Sequence, residues 1–535
     1  MNPPSPRTPL LFGLAAIVTC LAFAAFTGHM WEDYFITFRA SLNLATGNGL
    51  VFQPGERVHT FTSPLGTLLP ALFALGGGED VAIRALWLLR VASALTLGAA
   101  LWLALRAFQR DRLVTSAIVA IGIGWVLDPK IVDFSMNGME TAFMVFFVTF
   151  TWHAFSAGAR LWPCALACTG LQWTRPDGCV FFAVLALAWM LFGAAGAGFD
   201  GRQRITRVLG AIALGVVLYL PWLLFAWAYY GSPIPHTILA KAEHLTLAES
   251  AGKLALYPWR LLVGDVPLHH VFRPAYFFLG GWPEVLAWPA RVLAVGAALA
   301  WVWPRLAPAG RIASFAFFLG GFYVTYIPPF PWYYPAWQTL GWITWAYLLH
   351  ALWQARPGAA WAAALPQPVS RISAALIVVL QAALFVCVAW QMRTQQALIE
   401  DGHRREIGLW LRAQAAPGDT VFLEPLGYIG YFSGLKMLDF PGLSSPEVVA
   451  ARKAGHRSYA QVIAALKPKW VVLRPVEGQR VFGEIPALRT TYEFARVFDT
   501  RGAIDAIPVL PGRGYLNFDA IFLVYRRAPG ADPQP

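Results

Sequence analysis

Residues 31–65, WEDYFITFRASLNLATGNGLVFQPGERVHTFTSPL, are the polar exception in an apolar chain and lie between apolar runs at 10–26 and 64–77. Two adjacent carboxylates, Glu32 and Asp33, fall where an apolar helix should be leaving a bilayer. A carboxylate there is costly unless it faces water or a site, so membrane proteins rarely keep one without use. Positions 35–42 are amphipathic, with Arg39 on a different face from Phe35, Ile36 and Phe38, which predicts a short helix lying in the membrane interface. Asn48-Gly49 and Pro54-Gly55 then supply tight turns, so the stretch is a structured loop.

Outward from this loop the chain is strongly apolar. Of its 535 residues, 57% are hydrophobic and only 13% charged, proportions outside the range of a soluble globular domain. Roughly a dozen apolar runs follow one another, at 10–26, 64–77, 82–108, 113–127, 139–155, 161–173, 179–197, 208–229, 285–302, 312–328, 336–353 and 372–390. The net charge of +12 does not imply nucleic acid, because the Lys and Arg residues sit in short clusters between these runs. Clusters at 106–112, 202–207 and 305–311 belong on the cytoplasmic side by the positive-inside rule. With a cytoplasmic N terminus, that places 31–65, 128–140, 231–284 and 329–335 on the far side, and parity then requires about eleven spans. The first run lacks a convincing small-residue cleavage site and is read as a retained span.

At about residue 391 the character changes. Positions 1–391 form the transmembrane domain, and 392–535 a charged, periodic α/β domain outside the cytoplasm. Within the latter, 398–414 predicts an amphipathic helix, 445–454 and 460–466 further helices, and 420–423, 436–440, 470–473, 492–498 and 520–525 strands. The five cysteines all lie in or beside apolar runs, so no disulfide framework is implied. Cys164 and Cys168, spaced four apart, read as packing residues.

The loop resembles the signature of bacterial membrane glycosyltransferases of the C-type (GT-C) fold. It is most similar to the arabinofuranosyltransferase-like pattern DD-x-F-I-[ST]-x-R-Y-x-x-N-L-x-x-G-x-G-L-V-F-N-P-G-E-R-V-E-G-Y-T-[SN]-P-L. Asp33, Phe35, Ile36, Arg39, Asn43, Gly47, Gly49 and the run from Leu50 to Phe52 match, as do Pro54 to Val58 and Thr62 to Pro64. Glu32 replaces the first Asp, Gln53 the Asn, and His59-Thr60-Phe61 the Glu-Gly-Tyr. Further blocks extend the resemblance to about position 447. These are Gly138-Met139-Glu140-Thr141, Arg175-Pro176-Asp177-Gly178, Pro235-His236-Thr237 with Ala240-Lys241, Trp332-Tyr333-Tyr334, Gly427-Tyr428-Ile429-Gly430-Tyr431, and Asp439 to Leu443.

The resemblance implies transfer of a sugar, D-arabinofuranose, from a polyprenyl phosphate to a hydroxyl of a cell-envelope glycan or a surface protein such as pilin. Such an enzyme would sit in the bacterial inner membrane with its site and C-terminal domain outside the cytoplasm. An acceptor hydroxyl needs a positioned base and a phosphate leaving group needs cations or hydrogen-bond donors, so both should share one face. Asp33 is the expected base, with Glu32 beside it; the alternative for Asp33 is a helix cap. Lys241 is the expected phosphate ligand, and Arg39, His236, Arg175, Tyr333, Tyr334 and Glu140 are further donor-site candidates. Glu140 also suits a helix start, and Arg175 with Asp177 a braced turn. Lys130 would meet phosphate or lipid headgroups. His244, His269 and His270 share the long loop with Lys241 but lack zinc-binding spacing. A divalent cation among Glu32, Asp33 and Glu140 would suit their oxygen ligands. Rival readings are a mannosyl- or aminoarabinose-type transferase and, from another class, a transporter or flippase. The paired interrupted helices in two related halves expected of a transporter are not found.

Overall fold

A backbone crossing lipid must satisfy its own hydrogen bonds, and the proline-free run at 10–26 does so as helix Thr8–Thr27. The computed structural model describes residues 5–193, 200–241, 247–274, 277–324, 330–354 and 367–530. Four described helical stretches are long and apolar enough to cross a membrane: Thr8–Thr27, Val81–Arg110, Gly201–Tyr230 and Glu284–Val302. Shorter apolar helices accompany them at Pro64–Ala74, Thr115–Val126, Thr141–Ser156 and Gly178–Phe192. These lengths leave the expectation of about eleven crossings unestablished. The ends of the expected runs 179–197 and 312–328 lie outside the described residues.

Packing separates an inner from an outer apolar surface. Trp125, Trp152 and Trp337 are fully buried, whereas Val18, Leu209, Val217, Trp227 and Val292 face outward, as lipid contact requires. Helix Thr8–Thr27 crosses Val81–Arg110 where two glycines meet. A Cβ added at Gly98 would stand 2.8 Å from the Gly13 carbonyl oxygen, so only small residues permit this backbone approach.

The C-terminal part holds a five-stranded sheet: β1 (Thr420–Leu423), β2 (Lys436–Asp439), β3 (Trp470–Leu473), β4 (Tyr492–Asp499) and β5 (Ile521–Arg527), in the order β2-β1-β3-β5-β4. β1 runs parallel to both β2 and β3, with Val421 opposite Met437 and Trp470. β5 is antiparallel to β3 and β4, with Val472 opposite Val524. All five expected strands form. β3 is buried throughout, and charged Glu493 and Arg496 mark β4 as a protected edge.

Two local expectations change. The helix expected at 398–414 forms as an α-helix at Glu406–Gln414, but its first part belongs to a stretch of wide π-type turns, Gln396–Arg405, that continues the long helix Gln367–Gln395. The amphipathic loop helix forms at Glu32–Ala45, and its apolar face packs on protein. It is clamped between helix Pro64–Ala74, through Ser41 Oγ to the Thr67 carbonyl (2.7 Å), and helix Gly427–Ser433, where Phe35 meets Tyr428 and Tyr431 at 4.6 and 4.7 Å. Its apolar face is buried by the C-terminal domain, where the block from Gly427 to Tyr431 is helical and packs against it.

Candidate active site

The loop helix places its first turn, and so both carboxylates, at the seam between the membrane body and the sheet domain. Negative charge is favoured at a helix N-terminus, and Glu32 and Asp33 occupy the first turn. Asn43 Nδ2 ties the following turns back by donating to the carbonyls of Val51 (2.7 Å) and Phe52 (3.1 Å). Glu32 accepts a hydrogen bond from the Gly427 amide, and a Cβ at Gly427 would collide with the Glu32 carbonyl oxygen, so the glycine is required for close approach. Burial, then the neighbouring Asp33 charge, raises the Glu32 carboxyl well above its usual range. Asp33 is half-buried, and among the described residues its carboxylate has no hydrogen-bond or ion-pair partner.

Glu32 and Asp33 line a cavity of about 630 Å³ together with Lys241, Arg452, Arg404, Arg474, Glu424 and Asp519. Lys241 ends helix His236–Lys241, which is pinned at its start where the His236 amide donates to the His59 carbonyl (2.9 Å). Its ammonium is exposed, lies 5.8 Å from the Phe330 ring centre, and is unpaired among the described residues. Arg452 reaches over from the sheet domain and donates to the carbonyls of Ala240 (2.8 Å) and Pro441 (2.9 Å), which brings a second cation next to Lys241. Phe330 and Trp332 stack at 4.5 Å and form an aromatic wall with Trp31.

The opposite wall is the carboxyl edge of the parallel strands, the usual ligand-binding edge of open α/β sheets. Glu424 follows β1, Phe440 follows β2 and Arg474 follows β3, and all three line the cavity. Charges here are paired with one another. Arg404 binds Glu400 (2.9 Å) and Asp519, while Arg474 binds Asp519 (2.6 Å), Glu477 (2.8 Å) and Glu424 (2.9 Å). Burial alone would lower Arg404, but Glu400 and Asp519 outweigh it and raise it; burial would raise Asp519, but the two arginines hold it below its usual range. Behind this chain, Gln395 bridges Glu400 (3.2 Å) and His29 (3.3 Å), and His29 meets Asp133 at 2.7 Å.

Of the expected site residues, Glu32, Asp33 and Lys241 come together; the others do not line the cavity. Arg39 is a staple, because its guanidinium donates to the carbonyls of Gly430 (2.8 Å) and Leu435 (3.3 Å) and to Gln53 Oε1 (2.9 Å), spending its donors on the end of helix Gly427–Ser433. Arg175 pairs with Glu140 (3.0 Å) and Asp177 (2.8 Å) and lies 4.6 Å from the Tyr333 ring centre, so these form a separate braced corner. Tyr334 is buried beneath Lys130, whose ammonium is held by the carbonyls of His270 and Val271, each at 2.8 Å, and is not presented to phosphate. His236 serves its helix start, His269 Nε2 donates to the Leu261 carbonyl (2.9 Å), His270 packs on Phe277, and His244 lies outside the described residues. The cation site expected among Glu32, Asp33 and Glu140 is not assembled, because Glu140 is committed to Arg175; among the described residues no group of three or more His, Cys, Asp or Glu is placed to hold a metal ion.

Sequence reasoning missed Arg404, Arg452, Arg474, Glu424 and Asp519. Their positions just after the expected strands at 420–423 and 470–473 were the available signal for Glu424 and Arg474.

Residues 390–518 match the family described as Domain of unknown function (DUF8728). A terminal β-(1→2)-arabinofuranosyltransferase of Corynebacterium glutamicum is 26% identical over 267 residues, covering 44% of this chain and 37% of that protein. Its counterpart from Mycobacterium tuberculosis is 27% identical over 234 residues, covering 39% and 34%. Matched stretches thus span little more than a third of these relatives. ArnT from Cupriavidus metallidurans bound to undecaprenyl phosphate superposes with a TM-score of 0.51 at 12% identity, covering 98% of this chain and 99% of ArnT. Apo ArnT superposes at 0.52 with the same identity and coverage. The chain is therefore a sequence relative of terminal β-(1→2)-arabinofuranosyltransferases and has the C-type glycosyltransferase fold shared with ArnT.

Proposed function

We propose that this chain transfers a sugar from a polyprenyl-phosphate donor to an acceptor hydroxyl at the cavity between its membrane body and its sheet domain. The observation that carries the reading is that one cavity holds both a carboxylate, Asp33, and an ammonium, Lys241, that have no ion-pair partner among the described residues. Asp33 takes the acceptor proton as the acceptor oxygen bonds to the anomeric carbon. The bond from that carbon to the donor phosphate oxygen breaks, and the phosphate leaves with the electron pair. Lys241, with Arg452 beside it, balances the charge that develops on the phosphate. Glu32 stays next to Asp33, held by the Gly427 amide.

The finer assignments belong to the same proposal. The donor sugar is D-arabinofuranose, in line with the terminal arabinofuranosyltransferase relatives, and the lipid is a polyprenyl phosphate, in line with the undecaprenyl phosphate bound to ArnT. The body crosses the inner membrane about eleven times, and the cavity and C-terminal domain lie on the extracytoplasmic face, opposite the basic clusters.

Release of lipid phosphate from synthetic polyprenyl-phosphoryl arabinofuranose by the purified protein in detergent tests this. Release from this donor is the expected result. Release only from mannose or aminoarabinose analogues would keep the reaction and replace the sugar. Silence with every lipid-linked sugar would favour a transporter.

A further inference from the structure

The carboxyl edge of the sheet carries features that donor chemistry does not use. Phe518 lines the cavity with 52% of its surface exposed, an unusual position for a phenyl ring beside a buried ion network. One face is covered by the Arg474 guanidinium, 4.5 Å from the ring centre. Arg474 is itself locked by Asp519, Glu424 and Glu477, so the ring is a rigid platform whose exposed surface borders the cavity. Beside it, Glu424 binds Arg474 through Oε2 only; among the described residues Oε1 has no partner, and the side chain is 43% exposed. Tyr459 completes the group: its ring rests on Phe440 at 4.6 Å and lines the cavity, and its hydroxyl has no hydrogen-bond partner among the described residues.

We propose that this edge is a carbohydrate subsite that selects a glycan acceptor, with a sugar ring stacked on Phe518 and its hydroxyls held by Glu424 and Tyr459. The assignment of acceptor rests on the transferase reading above; the binding of carbohydrate does not. A sugar presents an apolar C–H face and a rim of hydroxyls, which an aromatic platform with a flanking acceptor carboxylate matches. A peptide acceptor would instead be gripped by its backbone along an open strand edge. The cavity meets strand ends, since Glu424, Phe440 and Arg474 each follow the last residue of a strand.

Saturation-transfer NMR on the full chain in detergent, with arabino-, galacto- and manno-tetrasaccharides as probes, tests the proposal. At least one tetrasaccharide should bind wild type and Asp33→Asn alike. Phe518→Ala and Glu424→Gln should each weaken that binding tenfold or more, Phe518→Trp should retain it, and circular dichroism should be unchanged throughout. Failure of all three probes to bind, or equal binding by wild type and Phe518→Ala, would overturn the subsite. So would Phe518-dependent sugar transfer to a serine-rich peptide with no tetrasaccharide bound, which would make the acceptor a protein. Platform-dependent binding without lipid-phosphate release from any donor would remove the transferase reading and leave the carbohydrate subsite standing.

Discussion

The two walls of the cavity use charge in opposite ways. On the membrane side, Asp33 and Lys241 face the space unpaired among the described residues. On the sheet side, Arg404, Arg474 and Asp519 are buried and bound to one another. Paired buried charge rigidifies, because removing one partner strands the other in a low-dielectric setting. Unpaired charge at a cavity is held ready for a ligand, at a cost to the folded state that the fold must offset elsewhere. The contrast predicts that mutations within the Arg404–Asp519–Arg474 network act on stability and those of Asp33 and Lys241 act on turnover.

Asp519→Ala should break the contrast most severely. It leaves two buried guanidinium groups short of a partner and should destabilise by about 3–5 kcal/mol, read as a large drop in Tm or loss of folded protein. An unchanged Tm would mean that the network is ornamental. Arg39→Ala should cost about 1–3 kcal/mol, because the Gly430 and Leu435 carbonyls and Gln53 lose the guanidinium that ties loop helix to sheet domain. Activity lost in proportion to Tm would fit the staple; activity lost at unchanged Tm would return Arg39 to the donor site.

Lys241→Ala sharpens the comparison from the other side. It should raise the donor KM about tenfold, some 1.4 kcal/mol, with no change in Tm. Glu32→Gln tests the linkage of charge to stability. The folded carboxyl is raised, so the native state binds more protons than the unfolded chain, and the wild type loses stability as pH climbs above about 4, the unfolded value, until the folded value is passed. Gln mimics the protonated form and its Oε1 still accepts from Gly427. The variant should therefore melt a few degrees higher than wild type at pH 7 and level with it below about pH 4. A lower Tm at pH 7 would contradict the raised carboxyl.

What was legible in the sequence follows from how local each feature is. The loop announced itself because its acids, turn glycines and amphipathic helix are contiguous, and four of the five strands because β-branched and aromatic residues cluster there. Arg404 and Asp519 pair across 115 positions, and Arg474 and Asp519 across 45, so no spacing rule links them. Gly427 and Gly430 have low helix propensity, yet the segment is helical because it packs on Glu32 and Phe35. Glu140 and Arg175 were rightly singled out as polar residues at helix ends, but their bond to each other gives them a bracing role that single positions do not reveal.

The most direct test of the central claim is lipid-phosphate release from polyprenyl-phosphoryl arabinofuranose by Asp33→Asn beside wild type, with Tm measured on the same preparations. The account predicts a fall of about 10²–10⁴ in kcat, the usual share of a general base, at an unchanged Tm. Wild-type turnover by the variant would contradict it, because the Asp33 carboxylate would then have no part in the chemistry.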